Sequence, residues 1–204
     1  MENREMKERH QRNDGVKTFY AKDMKAWRNW LAENWNKEKS VWLIIYHKNS
    51  ETPSVYYDDA VDEGLCFGWI DSKPNKRDEQ SYFQFFSQRN SKSNWSRKNK
   101  EKIERLMKEG RMAEPGLEMV RLAKETGTWD ALNDVENLII PPDMQVLFDQ
   151  NPIALGNFQA FPPSVRRGIL EWIFNAKRVD TREKRIQETV ELAEQNIRAN
   201  QYRQ

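Results

Sequence analysis

Gly64-Leu65-Cys66-Phe67-Gly68-Trp69-Ile70-Asp71, the stretch GLCFGWID, holds the only cysteine of the chain and two of its eight glycines. Upstream of it, Tyr57, Ala60, Val61, Gly64 and Leu65 recur at helical spacing, with Asp58, Asp59, Asp62 and Glu63 mostly on the other side, so a helix is predicted from Tyr57 to Phe67. Acidic residues in its first turn suit the positive end of the helix dipole, and the acidic cluster reads as a solvated face. Downstream, Trp69-Ile70-Asp71-Ser72-Lys73 reads as a strand. Gly68 then stands where helices end on a left-handed residue. The stretch is therefore the packed joint of a helix onto a strand, and a chain organised around it is α+β.

The same placement argues against a reactive thiol. Only the thiolate attacks, and the negative end of a helix raises a thiol's pKa. Cys66 at that end of its helix reads as a small buried hydrophobe. Asp71, two residues after Trp69, has two readings: a carboxyl buried against indole with a raised pKa, or, preferred, the salt-bridge partner of Lys73, Arg77 or Arg89.

Working outward, Val41-Trp42-Leu43-Ile44-Ile45-Tyr46 reads as a strand buried on both faces, closed by His47-Lys48-Asn49-Ser50. Asp23 is a candidate N-cap for a helix lined by Trp27, Trp30, Leu31 and Trp35. After a polar turn through Pro74 to Asp78, Ser81 to Ser87 returns as a third strand. The rest is helical: Ser96 caps a segment closed by Gly110, Pro115 opens one closed by Gly127, and Pro141-Pro142, Asn151-Pro152, Ser164 and Asp180 or Thr181 open others. The expected fold is thus a small antiparallel or mixed sheet of about three strands in the N-terminal half and a mostly helical C-terminal half. Residues 1–20 show no apolar period and are expected to form a flexible tail, with residues 21–204 as a single domain.

Composition bounds the function. The chain has 204 residues, enough for a core without disulfides or metal. One cysteine points to a reducing compartment, the opening MENREMKERHQRNDG has no apolar signal-peptide core, and the run from Val41 to Tyr46 is far too short to span a bilayer, so a cytoplasmic location is expected. Net charge is only +2, but residues 72–111 hold 12 basic and 5 acidic side chains, net +7, and residues 112–151 hold 2 and 8, net −6. Such blocks either pair with each other or leave the basic one for a polyanion.

One Cys and two His cannot build a Cys/His zinc site, the acidic cluster lacks the pattern of a calcium loop, and no GxGxxG, P-loop, GxSxG or HExxH occurs. No catalytic residue, metal or cofactor is assigned. The basic segment interleaves cations with rings, as a surface does that grips phosphates and stacks bases. The candidate ligand-binding residues are Trp69, Asp71, Lys73, Arg77, Tyr82, Phe86, Arg89, Trp95 and Arg97. Lys177, Arg178, Arg182 and Arg185 surround a helix start and form a candidate anion site, or else clamp onto the acidic block.

The ordered motifs VWLIIYHK, YDDAVDEGLCFGWIDSK, SYFQFFSQRNSKSNWSRKNKEKIERLMKEGRM and AKRVDTREKRI resemble those of the YdeI/OmpD-associated family, also called bacteriocin-protection proteins, from about Trp27 to about Ala193. The resemblance implies protection against bacteriocins or antimicrobial peptides with an envelope association, and brings no reaction or cofactor. The expected function is therefore a non-catalytic stress- or bacteriocin-protection protein binding an anionic or peptide partner through a basic aromatic surface. The alternatives are a nucleic-acid-binding protein and an enzyme of unknown reaction with a cleft around Trp69 and Asp71.

Overall fold

The computed structural model describes residues 12–13 and 15–200. The chain divides into two compact units, Met1–Trp129 and Asp130–Gln204, where the sequence reading expected one domain over residues 21–204.

The N-terminal unit is built on a mixed sheet in the order β1 (Arg12–Asn13), β2 (Val16–Tyr20), β3 (Ser40–Tyr46), β5 (Ser81–Gln88), β4 (Trp69–Lys76). Strand β2 runs parallel to β3 and the other neighbours pair antiparallel. Between β2 and β3 the chain crosses over through α1 (Met24–Asn34), capped by the Asp23 carboxylate accepting from the Ala26 N–H at 2.7 Å. Helix α2 (Tyr57–Cys66) leads into β4, and α3 (Arg97–Lys108) and α4 (Glu114–Glu125) follow the β4–β5 hairpin.

The expected tail does not extend through residue 20. Val16–Tyr20 is a strand, Thr18 and Tyr20 are buried, and Phe19 stacks on Trp27 and Trp30. The remainder of that expectation, residues 1–11 and Asp14, lies outside the described residues.

Alternation gives the sheet two different faces. Val41, Leu43 and Ile45 of β3 point the same way as Phe86 of β5 and pack with Trp27, Leu31, Leu65 and Ile103 from the helices. On the opposite face Ile44 and Tyr46 pack with Tyr20 and Phe83, and the Trp42 ring contacts Phe83 and Phe85. Strand β3 is therefore buried on both faces, as its unbroken apolar run predicts.

The acidic face of α2 is solvated only in its first turn, where Asp58 and Asp59 are exposed. Asp62 and Glu63 are 5% and 1% exposed. Lys102 donates to Asp62 at 2.7 Å and Arg105 bonds its other oxygen, while Arg28 and Arg111 each reach Glu63 at 2.6 Å. Part of the basic segment is thus neutralised internally, by α2. These pairs fasten α3 and the residues after it to the helix that precedes the GLCFGWID joint.

The C-terminal unit is helical: α5 (Asn133–Glu136), α6 (Pro142–Asp149), α7 (Pro152–Ala160), α8 (Pro163–Phe174) and α9 (Val179–Glu194). Proline stands in the first turn of α6, α7 and α8, where its missing N–H is no loss. Met144, Phe148, Phe158, Ile169, Ile173, Ile186 and Val190 make its core.

Candidate functional site

The joint at residues 64–71 builds one wall of a cavity. Gly68 has φ +73°, and a Cβ there would lie 2.9 Å from Met119 Cγ and 3.0 Å from the Pro115 carbonyl, so the turn requires glycine. The first turn of α4 rests on the end of α2 just as closely. The Ala113 N–H donates to the Cys66 carbonyl at 3.1 Å, and a Cβ on Gly116 would come within 2.3 Å of that oxygen. Cys66 is fully buried in this joint, and burial, with the Glu63 charge adding to it, pushes its thiol up to about 11. The packed-core expectation for Cys66 stands.

Between this joint, the end of α1 and the start of α4 lies a cavity of about 550 Å³ whose apolar lining includes Trp35, Phe67, Trp69 and Met119. Trp35, the last indole of the face read from helical spacing, is 37% exposed. Its carbonyl accepts from Trp69 Nε1 at 3.3 Å and from Gln88 Nε2 at 2.8 Å, which ties the end of α1 to both hairpin strands.

Arg89 also lines the cavity. It follows the last residue of β5, its N–H donates to the Gly68 carbonyl at 2.9 Å, and it is only 7% exposed. Its Nη2 donates to the Asn94 carbonyl at 2.5 Å, and its guanidinium stacks on Trp95 with Cζ 3.7 Å from the ring centre. Its Nε has no hydrogen-bond partner, and no carboxylate pairs with it among the described residues. Burial alone pulls its pKa down to about 10, still far above neutrality. The cavity therefore has aromatic walls and a buried cation without a counter-ion.

Trp69 and Arg89 are brought together at this cavity, and Trp95 backs Arg89 from a buried position, 2% exposed. Phe86 is fully buried among the helices, which closes it to an external base. Asp71 forms no salt bridge with Lys73, Arg77 or Arg89. Its Oδ2 accepts from the Tyr57 hydroxyl at 2.7 Å, and burial together with that carboxylate drives the Tyr57 pKa upward. A separate pocket lies beside it, where the Tyr82 ring stacks on His47 with centroids 5.6 Å apart.

The other candidates are dispersed. Lys73 lies 6.0 Å over the Trp42 ring, on the opposite face of the sheet. Arg77 lies over Tyr46 and Phe83, donates to Tyr46 Oη at 3.2 Å and Ser81 Oγ at 3.0 Å, and pairs with Asp78. Arg97 is exposed at the start of α3. In the C-terminal unit, Arg182 grips Asp143 with two bonds of 2.6 and 2.9 Å, which is the clamp reading. Arg185 covers Trp172 and donates to its carbonyl, Arg178 lies 3.6 Å from Asp180, and Lys177 is exposed.

Comparison with known proteins divides along the chain. Residues 19–119 match a family described as Domain of unknown function (DUF8412). Residues 137–196 match the family described as Bacteriocin-protection, YdeI or OmpD-Associated, a narrower span than the resemblance of the sequence motifs covered. AKRVDTREKRI falls within that match, whereas the cavity is built from residues of the N-terminal one. No curated protein and no solved structure matches the chain. Among the described residues no group of His, Cys, Asp and Glu is placed to hold a metal ion, and no helix is long and apolar enough to cross a membrane.

Proposed function

We propose that this chain is a binding protein whose N-terminal unit takes the anionic group of a small ligand onto Arg89, inside the cavity walled by Trp35, Phe67 and Trp69. The observation that carries the reading is the buried Arg89 guanidinium, which lines a cavity and lacks a counter-ion. A charge taken out of water needs a partner, and a ligand carboxylate or phosphate would supply one. The match of residues 137–196 carries the protective part of the reading: the ligand would be one whose capture serves resistance to a bacteriocin-like stress.

The basic aromatic surface first expected is thereby reduced to a cavity. Of its rings, Phe86 and Trp95 are buried, and of its cations, Arg89 is enclosed and Arg77 is paired. A surface that stacks successive bases needs exposed rings beside exposed cations. The reading is tested by titrating the full chain with indole-3-acetate, inorganic phosphate and a short single-stranded oligonucleotide, following tryptophan fluorescence. A small anion is expected to bind, and Arg89→Leu to abolish that binding with the fold intact by circular dichroism. Binding that survives Arg89→Leu, or binding of the oligonucleotide alone, would sink the proposal.

A further inference from the structure

The Arg89 cavity carries charges of both signs. Glu114, in the first turn of α4, lines it opposite in sign to Arg89, and makes no ion pair among the described residues. The other carboxylate on the wall, Glu118, is held by Arg121 through bonds of 2.5 and 2.8 Å. One buried cation and one unpaired rim carboxylate thus share a cavity in which Trp35, Phe67, Trp69 and Met119 stand beside Asn36, Gln88 and Pro115. We infer that its ligand is a zwitterion, a free α-amino acid with a large apolar side chain. Its carboxylate would meet Arg89, its ammonium Glu114, and its side chain Trp35, Phe67, Trp69 and Met119. This rests on the anion-binding reading of the same cavity and adds the second charge and the apolar body.

Three observations narrow the class. A ligand with several negative charges and no positive one would have to approach Glu114 and Glu118, and like charges brought together at an interface are costly. A large apolar side chain suits the wall of Trp35, Phe67, Trp69 and Met119, where a phenyl or isobutyl group gives up no hydrogen bond to water. The volume, about 550 Å³, lies in the range of small-molecule sites and has room for the largest natural side chains.

The wall is also fixed before a ligand arrives. Gly68 and Gly116 bring the backbone of the joint against α4 so closely that a Cβ at either would collide with backbone oxygen, and Trp69 is anchored through Nε1. A cavity already shaped in the free protein spends little of its binding energy on ordering.

The experiment compares L-tryptophan and L-leucine with indole-3-acetate, which lacks the amine, and tryptamine, which lacks the carboxylate, by calorimetric titration of the full chain. L-tryptophan is expected to bind about tenfold or more tightly than either one-charge analogue, the effect of one charge-assisted hydrogen bond. Glu114→Gln, an isosteric change in an exposed first turn, is expected to erase most of the advantage over indole-3-acetate. Arg89→Leu is expected to erase the advantage over tryptamine. Equal affinity for indole-3-acetate and L-tryptophan, or an unchanged preference in Glu114→Gln, would overturn the zwitterion while leaving anion binding standing. Failure of every carboxylate and of inorganic phosphate to bind would overturn both, and because the ligand series needs no variant, a misfolded mutant cannot obscure the outcome.

Discussion

The guanidinium carbon of Arg89 lies 3.7 Å from the centre of the Trp95 ring, and both side chains are almost wholly buried. Stacking of this kind stabilises a desolvated cation by about 2 kcal/mol. It does not neutralise the charge, and the Asn94 carbonyl satisfies only one of the five guanidinium N–H groups. Trp95 in turn packs against Trp129, tilted by 45° with 5.1 Å between centroids, so the ring is fixed in place under the cation. The fold therefore holds a buried positive charge that no carboxylate among the described residues pairs with.

It follows that Arg89→Leu should leave the free protein as stable as the parent or more so at neutral pH. Burial depresses the folded pKa to about 10, below the ordinary guanidinium value, so the cost of the charge is fully present below about 10. It shrinks as pH rises from there toward the ordinary guanidinium value, because the folded state can then release the proton. The stability gap between variant and parent should accordingly narrow above pH 10 in paired denaturant titrations. A variant weaker by about 3–5 kcal/mol, the loss seen when one member of a buried ion pair is removed, would mean that Arg89 already has an internal counter-ion.

The opposite sign is expected at Glu63. Its carboxylate is 1% exposed and receives Arg28 and Arg111 at 2.6 Å each. Glu63→Gln removes the charge that both guanidiniums face. A loss of about 3 kcal/mol is expected, at the lower end for a broken buried pair because both arginines reach partly into water. Urea denaturation measures it, and a loss below about 1 kcal/mol, the range of exposed pairs, would show the triad to be incidental.

Asp62 should supply part of the acid sensitivity. Burial opposes ionisation of its carboxyl, but the hydrogen bonds from Lys102 and Arg105 outweigh it and hold the pKa below the ordinary carboxylate value. A group depressed in the folded state contributes stability above its unfolded pKa and loses it as pH falls through the folded one. Asp62→Asn should therefore be less stable at neutral pH and converge on the parent in acid. Parallel curves from neutrality down to acid would contradict the assignment.

Cys66 is expected to resist a bulky thiol reagent in the native state, since it is fully buried and its thiol is pushed up to about 11. Labelling should follow the rate of opening and accelerate in denaturant. Cys66→Ala should cost on the order of 1 kcal/mol, as a small buried deletion does. Fast native labelling near neutral pH would place the thiol at a surface.

Much of the framework was legible because it rests on local signals. The caps at Asp23 and Ser96, the left-handed Gly68, Gly110 and Gly127, and the doubly buried run of β3 were all read from adjacent residues. What escaped depends on partners distant in sequence. Strand β2 follows a charged stretch, and only the alternation of Val16, Thr18 and Tyr20 marks it. Asp62 and Glu63 looked solvated because their partners stand 40 and 48 positions away, at Lys102 and Arg111. Of the cavity, Trp69 and Arg89 were singled out, but Glu114 and Met119 arrive from α4, and nothing in their own neighbourhood announces it.

The seating of α4 on the joint can be tested at a single atom. A Cβ on Gly116 would lie 2.3 Å from the Cys66 carbonyl oxygen and 2.8 Å from that of Leu65. Both are backbone atoms at the end of α2, so neither can swing aside as a side chain would, and relief requires α4 to lift from the joint. Gly116→Ala should therefore cost about 3 kcal/mol or more, the upper range for overpacking, although alanine is the better helix former. Gly156 in α7 provides the control, since nothing lies within 4 Å of a Cβ there. Gly156→Ala should be neutral or stabilising, by up to about 1 kcal/mol. Both variants are to be measured by urea denaturation. The first is to be tested also for binding, because Glu114 and Pro115 sit in the turn that would have to move. A Gly116→Ala protein as stable as the parent would mean that α4 does not rest on GLCFGWID, and the cavity wall built on that contact would fall with it.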